Sequence, residues 1–204
     1  MLTKEQVTRE NVVDYIIDLF HRMGDQSYLG EAISQAEHGL QCAVVADQFN
    51  SPDYLIGAAL LHDIGHFLHD HDEDCADHGI DSEHEVVGGR FLERFFPAEL
   101  VEPVRMHVDA KRYLTAVEPD YFDMLSPASV VSLELQGGPM NDEEVARFRA
   151  SPHLEDAITL RKCEEAGKNP GVHTPPIEHY RPLLAGLVNS AAKQCPLSFS
   201  CDSE

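Results

Sequence analysis

His62 and Asp63 stand side by side at the end of the apolar stretch Ile56–Leu61, in the run IGAALLHDIGH. An ionised aspartate in that setting must be paired or coordinated, because an unpaired buried charge is very costly. An imidazole and a carboxylate that both reach off one helix end can share a metal ion. A bare His-Asp dipeptide carries little weight, but the LLHDIGH context, with His66 one turn after His62, carries far more. Three further histidines fall on helical segments: His38 on an otherwise apolar face, His84 in SEHEVVGG and His107 in VEPVRMHVDAKRYL. Imidazole and carboxylate donors form a mixed N/O set that suits iron better than metals preferring soft ligands, and leaves manganese and zinc open. Among the 12 histidines, His21, His69, His71, His78, His153, His173 and His179 lie in loops, near helix ends or on polar faces, and read as surface or hydrogen-bonded residues.

The elements that must position these groups are helical nearly throughout. Apolar spacing predicts a first helix over Glu10–Met23, with Val13, Ile16, Ile17 and Phe20 on one face. A second, Glu31–Phe49, would bring Ala36, Leu40, Ala43 and Val44 together. Ser51-Pro52 signals the start of a third, with Ser51 as cap, which ends near Ile64-Gly65. The polar stretch His69–Ser82 reads as a mobile loop near the mouth of the site. Helices follow from Glu83 to Phe95, Leu100 to Tyr113, Asp142 to Phe148, Leu154 to Ala166 and Ile177 to Ala192, with Gly137–Pro139 as a break. The fold class is therefore all-α, with residues 1–193 as one domain and 194–204 as a flexible C-terminal tail.

The net charge of −21 disfavours nucleic acid as a partner, since little would neutralise phosphates along a strand. No run of about 18 apolar residues predicts a membrane span, and the polar N-terminus lacks the apolar centre of a signal peptide. A cytoplasmic location is expected. The 5 cysteines include no CxxC pair, so neither a disulfide framework nor a thiolate zinc site is expected.

LLHDIGH resembles the signature of the HD-domain superfamily, whose fold is an all-helical bundle. Its pattern is a histidine on an earlier helix, the His-Asp pair and a later acidic residue. His38 fits the first position. His84 and His107 extend the pattern towards a second metal, with Asp63 as the bridge.

The resemblance sharpens with SYLGEAISQAEHGLQCA before His38, VDAKRYL after His107, and LSPAS and LELQGGPM further on. From about Ser27 to Tyr180 the chain resembles the HD-superfamily diiron oxygenases that cleave the carbon–phosphorus bond of 1-hydroxy-2-aminoethylphosphonates. That resemblance implies two irons, mixed-valent Fe(II)/Fe(III), with dioxygen as co-substrate. One iron would take His38, His62, Asp63 and a carboxylate of LRKCEEAGK; the other would take Asp63, His84 and His107. Glu164 stands where such relatives carry aspartate, a methylene longer, and Glu165 is the alternative ligand.

A phosphonate dianion needs donors inside this anionic chain. Lys111 shares a helical face with His107, and Arg161 shares one with Glu164. The resemblance adds His66, Ser129 and Gln136 to the substrate-binding set. It also implies that Tyr28 and Glu31 close over the site until substrate displaces them. Ser34 replaces the asparagine expected near the amine end, a change that fits a methylated nitrogen; the organic product is glycine or an N-methylated glycine such as betaine. His66, Lys111, Tyr28 and Glu31 are the expected catalytic residues. A hydroxylase would supply the 1-hydroxy compound. Two readings compete: an HD phosphohydrolase, needing only the HD core and an activated water, and a non-catalytic HD sensing module.

Overall fold

The helix that ends in His62 has no polar face. In a computed structural model describing residues 2–26, 32–68 and 83–194, every residue from Leu55 to Leu61 is buried. A helix that is apolar all round belongs in an interior, and this one packs against four neighbours. Ten α-helices form among the described residues, with no strand. They are α1 (Val12–Met23), α2 (Gln35–Gln48), α3 (Asp53–Leu61), α4 (Ile64–Leu68) and α5 (His84–Leu92). The second half holds α6 (Ala98–Val117), α7 (Pro127–Leu135), α8 (Asp142–Arg149), α9 (Leu154–Ala166) and α10 (Arg181–Gln194). None is long and apolar enough to cross a membrane. The expected loop His69–Ser82, the tail 195–204, and Tyr28 and Glu31 lie outside the described residues.

The central helix α3 touches α2, α6, α9 and α10, and α6 packs most extensively along α9. The main core gathers around α1, α3 and α5, with Ile16, Leu60, Leu61, Leu92 and Leu100 fully enclosed. A second apolar cluster joins the C-terminal half of α6 to α7 and α8 through Tyr113, Leu114, Leu133 and Phe148.

Several boundaries differ from the sequence pattern, each for a local reason. α2 begins at Gln35 rather than Glu31, because Ser34 and Glu37 form reciprocal capping bonds: Glu37 N donates to Ser34 Oγ at 3.2 Å and Ser34 N donates to Glu37 Oε2 at 2.7 Å. Its buried face carries Gln35, His38, Gln41 and Cys42, while Leu40 and Val44 are only partly covered. The third helix does not run on to Gly65. It breaks at His62-Asp63 and restarts as α4, with His66 N donating to Asp63 O at 3.0 Å. Pro52, not Ser51, takes the cap position of α3. Helix α5 ends at Leu92, short of Phe95, and α6 runs on to Val117. Ile177–Tyr180 is a 3-10 turn that leads into α10. Helix α7, which the apolar spacing does not predict, is started by Ser126, whose Oγ accepts from Ser129 N at 3.2 Å, with Pro127 in its first turn.

Two glycines permit close approaches that set the site. A Cβ on Gly65 would overlap the carbonyl group of His84, so α4 and α5 meet backbone to backbone there. A Cβ on Gly167 would stand 2.6 Å from Cys42 Sγ, so the end of α9 lies directly on α2. Replacing Gly65 with alanine must push α5, and His84 with it, away from α4. The expected loss is about 1–3 kcal/mol, the usual cost of an overpacked interior. It should appear as a lower urea midpoint at unchanged slope; an unchanged midpoint would refute the close packing.

Candidate metal centre and anion cavity

His38 on α2 and His62 at the end of α3 are both 0% exposed. His38 Nδ1 lies 2.9 Å from Gly167 O, and His62 Nδ1 lies 2.8 Å from Ala59 O. A carbonyl only accepts, so each Nδ1 carries the proton and each neutral ring keeps a bare lone pair on Nε2. Those two Nε2 atoms face each other at 3.2 Å. Two lone pairs cannot bond to one another, so the pair needs a shared cation: a proton in the metal-free chain, or a metal. A proton is disfavoured on His38, whose pKa burial and His62 push down to about 4, and favoured on His62, whose pKa Asp63 raises against burial.

A second pair repeats the arrangement. His84 opens α5 and His107 lies on α6, with Nε2 atoms 3.0 Å apart. His107 Nδ1 is 2.7 Å from Val104 O. Burial pushes His107 down to about 3, and the neighbouring His84 and His62 add to this against the pull of Glu164. The His66 ring stacks on His84 with centroids 4.2 Å apart.

Asp63 stands between the pairs. Its Oδ2 is 3.3 Å from His62 Nε2 and 3.8 Å from His38 Nε2. Its Oδ1 is 3.2 Å from His84 Nε2 and 3.7 Å from His107 Nε2. One carboxylate thus presents one oxygen to each pair. Burial alone would raise its pKa; His62 and His84 reverse that and hold the group well below the ordinary range. The donors fit metal ions: Asp63, His84 and His107 form one group whose ligand atoms converge, and His38 with His62 belong to another. Cys42 falls in the second group, but its Sγ is 3.7 Å from both ring nitrogens of His38 and so lies along neither lone pair. Burial raises its pKa well above the usual thiol value, which keeps it protonated. Cys42 and Cys163 are both free thiols, as the spacing suggested.

The α9 carboxylates divide. Glu164 is 5% exposed; its Oε1 pairs with Arg161, while its Oε2 is buried without a hydrogen-bond partner. Burial would raise its pKa, yet Arg161, His107 and His62 hold it far below the ordinary range. Glu165 turns instead to Arg161 and to Lys168, whose Nζ is 3.5 Å from Oε2. The spare oxygen among the imidazoles therefore belongs to Glu164.

A cavity opens beside these groups and brings together His66, Lys111, Ser129, Gln136 and Arg161, as the sequence predicts. Lys111 Nζ donates to Ser132 Oγ at 2.7 Å. Burial, then Arg161 and Lys168, lower the Lys111 pKa to about 7. Arg161 Nε donates to Tyr121 OH at 2.8 Å. Gln136 Oε1 is buried there without a partner. Ser34 is held as the α2 cap and is not part of the described lining. Three residues go unmarked in the sequence: Lys168 and Ser132 in the lining, and Tyr121 behind Arg161. Lys168 is one turn after Glu164, a signal that was present; Ser132 becomes visible only once α7 is a helix; Tyr121 has no local signal.

The HD-domain family profile matches residues 34–145. The chain is 46% identical over 184 residues to a [1-hydroxy-2-(trimethylamino)ethyl]phosphonate dioxygenase (glycine-betaine-forming) of Leisingera caerulea, covering 90% of this chain and 94% of that one. It is 44% identical over 168 residues to a hydroxymethylphosphonate dioxygenase of Gimesia maris, covering 81% and 84%. An uncharacterized protein of Acanthamoeba polyphaga mimivirus is 33% identical over 175 residues, covering 84% and 80%. The chain therefore belongs to the HD-domain family, in its branch of phosphonate dioxygenases.

Proposed function

We propose that this chain is a diiron oxygenase that cleaves the carbon–phosphorus bond of a 1-hydroxy-2-(amino or N-methylated amino)ethylphosphonate. Phosphate and glycine, or an N-methylated glycine such as betaine, are the products. The observation that carries this reading is Asp63, with one oxygen turned to each of two buried histidine pairs. One iron is held by His38, His62, Asp63 and Glu164, and the other by Asp63, His84 and His107. Glu164 Oε2 is buried without a hydrogen-bond partner, whereas the Glu165 oxygens face Arg161 and Lys168, which supports Glu164 as the ligand. Iron, when bound and mixed-valent, supplies Lewis-acid polarisation of substrate oxygens and redox access to dioxygen.

The chain's own groups bind and orient. Lys111, Arg161, Ser129 and Gln136 present donors to the phosphonate oxygens, where charge-assisted hydrogen bonds are strongest. His66, stacked on His84, lies beside them. The family resemblance gives Tyr28 and Glu31, which lie outside the described residues, the task of closing the site until substrate displaces them. Ser34 favours the trimethylated substrate, in line with the activity named for the Leisingera relative. The substrate's C1 carbon becomes a carboxylate carbon, and its C–P bond is replaced by a P–O bond. Substrate plus one dioxygen balances carboxylate plus phosphate, with no further reductant. A hydroxylation must come first, to install the C1 hydroxyl. The two buried free thiols suit a cytoplasmic setting. A phosphohydrolase would need only one histidine pair and leaves His84 and His107 without a task.

Elemental analysis of protein purified with iron should give two irons per chain. His107→Ala should lower this to about one, and Asp63→Asn should reduce both; full iron retention in Asp63→Asn would sink the bridging role. Phosphate release should consume one dioxygen per phosphate and stop under anaerobic conditions. Undiminished anaerobic release would instead establish a hydrolase. The trimethylammonium substrate should show the higher kcat/KM than its primary amine; equal values would remove the assignment of Ser34.

A further inference from the structure

The cavity contains three cations, yet they are not equally available. Arg161 is engaged by Glu164, Glu165 and Tyr121. Lys111 and Lys168, the latter also 3.5 Å from Glu165 Oε2, are each seated on a serine of α7. Lys111 Nζ donates to Ser132 Oγ at 2.7 Å, and Lys168 Nζ donates to Ser129 Oγ at 2.8 Å. The two serines are one turn apart on α7, so α6 and the segment after α9 deliver two ammonium groups to one helical face. Lys168 gets there because α9 stops at Ala166 and Gly167 lets the chain leave the helix against Cys42.

A serine hydroxyl has one proton to give. Ser132 gives its proton to Ser129 O at 3.1 Å. Ser129 Oγ accepts from Lys168 and has no protein acceptor for its own proton among the described hydrogen bonds. An ammonium can only donate, so the lone pair it occupies fixes the direction left to that proton. Ser129 is 6% exposed and lines the cavity, so the proton is left for an occupant.

We propose that Lys168 is a positioning residue for substrate: it holds Ser129 as a hydrogen-bond donor to the phosphonate and, with Lys111, supplies the positive charge that selects a dianion. The inference deepens the oxygenase reading and rests on it for the identity of the dianion. A merely structural lysine would neutralise Glu165 and the C-terminal end of α9. That role moves stability and leaves anion binding alone.

Isothermal titration of inorganic phosphate, the expected product, into the iron-loaded protein separates the two. Lys168→Met should weaken phosphate binding about tenfold, the range of a charge-assisted hydrogen bond. Ser129→Ala should weaken it less, and the double variant should be no worse than Lys168→Met. KM for the phosphonate should rise with a smaller change in kcat, at unchanged iron content and thermal midpoint. Lys168→Arg should recover part of the affinity. Phosphate affinity within twofold of the parent in Lys168→Met would overturn the proposal. So would single-variant losses that multiply in the double variant, or a loss that tracks only a lowered thermal midpoint. Should Lys168→Met fail to fold, Lys168→Gln carries the same criteria. A parent protein that binds phosphate but releases none from the 1-hydroxyphosphonate would sink the oxygenase reading and leave the lysine–serine cradle intact. Turnover by the parent with Lys168→Met indistinguishable from it would sink the cradle alone.

Discussion

Four imidazoles and one carboxylate cannot share a dry interior without cations, and the rest of the structure follows from satisfying that demand. The His38–His62 pair brings two nitrogen lone pairs within hydrogen-bonding distance of each other, and the Nε2 atoms of His84 and His107 come equally close. In water such an approach would relax. Here burial locks the rings, and for His38, His62 and His107 a backbone carbonyl on the far nitrogen does so too. A buried polar network left half-satisfied is destabilising, so the fold is complete only with charge placed between the rings. Asp63 supplies one negative group for both pairs and Glu164 adds a second.

The helices themselves set which nitrogen is offered. His62 and His107 each place Nδ1 on the carbonyl three residues earlier, Ala59 O and Val104 O. A helical histidine thereby fixes its own tautomer and aims Nε2 outward from its turn. His38 uses a carbonyl from another element, Gly167 O, which ties the end of α9 to α2. That contact also explains the glycine: a side chain at residue 167 would run into Cys42 and lift the carbonyl away. Positioning of Glu164, three residues before Gly167, depends on the same junction.

Much of this was legible in the sequence, and the misses share a cause. His62-Asp63 stands out because charged chemistry interrupts an apolar run that has no polar face of its own. His38, His84 and His107 follow from the family resemblance, and Lys111 and Arg161 from helical spacing to neighbouring ligands. The inward face of α2 was misread because hydropathy favours Leu40 and Val44, whereas the site turns His38, Gln41 and Cys42 inward. The break between α3 and α4 is invisible to periodicity, since both sides are apolar. Helix α7 is only nine residues long and its apolar residues give no clear stripe. Missing it hid Ser132 and the partner of Lys168, which are tertiary neighbours rather than sequence neighbours.

An acidic chain that receives a dianion must solve its electrostatics locally. The net charge of −21 repels such a ligand at range, but salt screens that field beyond roughly 8 Å. Inside the cavity Lys111, Lys168 and Arg161 stand beside Asp63 and Glu164, and Arg161 answers the two α9 carboxylates that would otherwise face the ligand. Burial, then the neighbouring Arg161 and Lys168, bring Lys111 down to about 7. A dianion entering there relieves repulsion among groups already held in place. The donors therefore need little rearrangement when it arrives, which is the condition under which buried charge favours binding rather than opposing it.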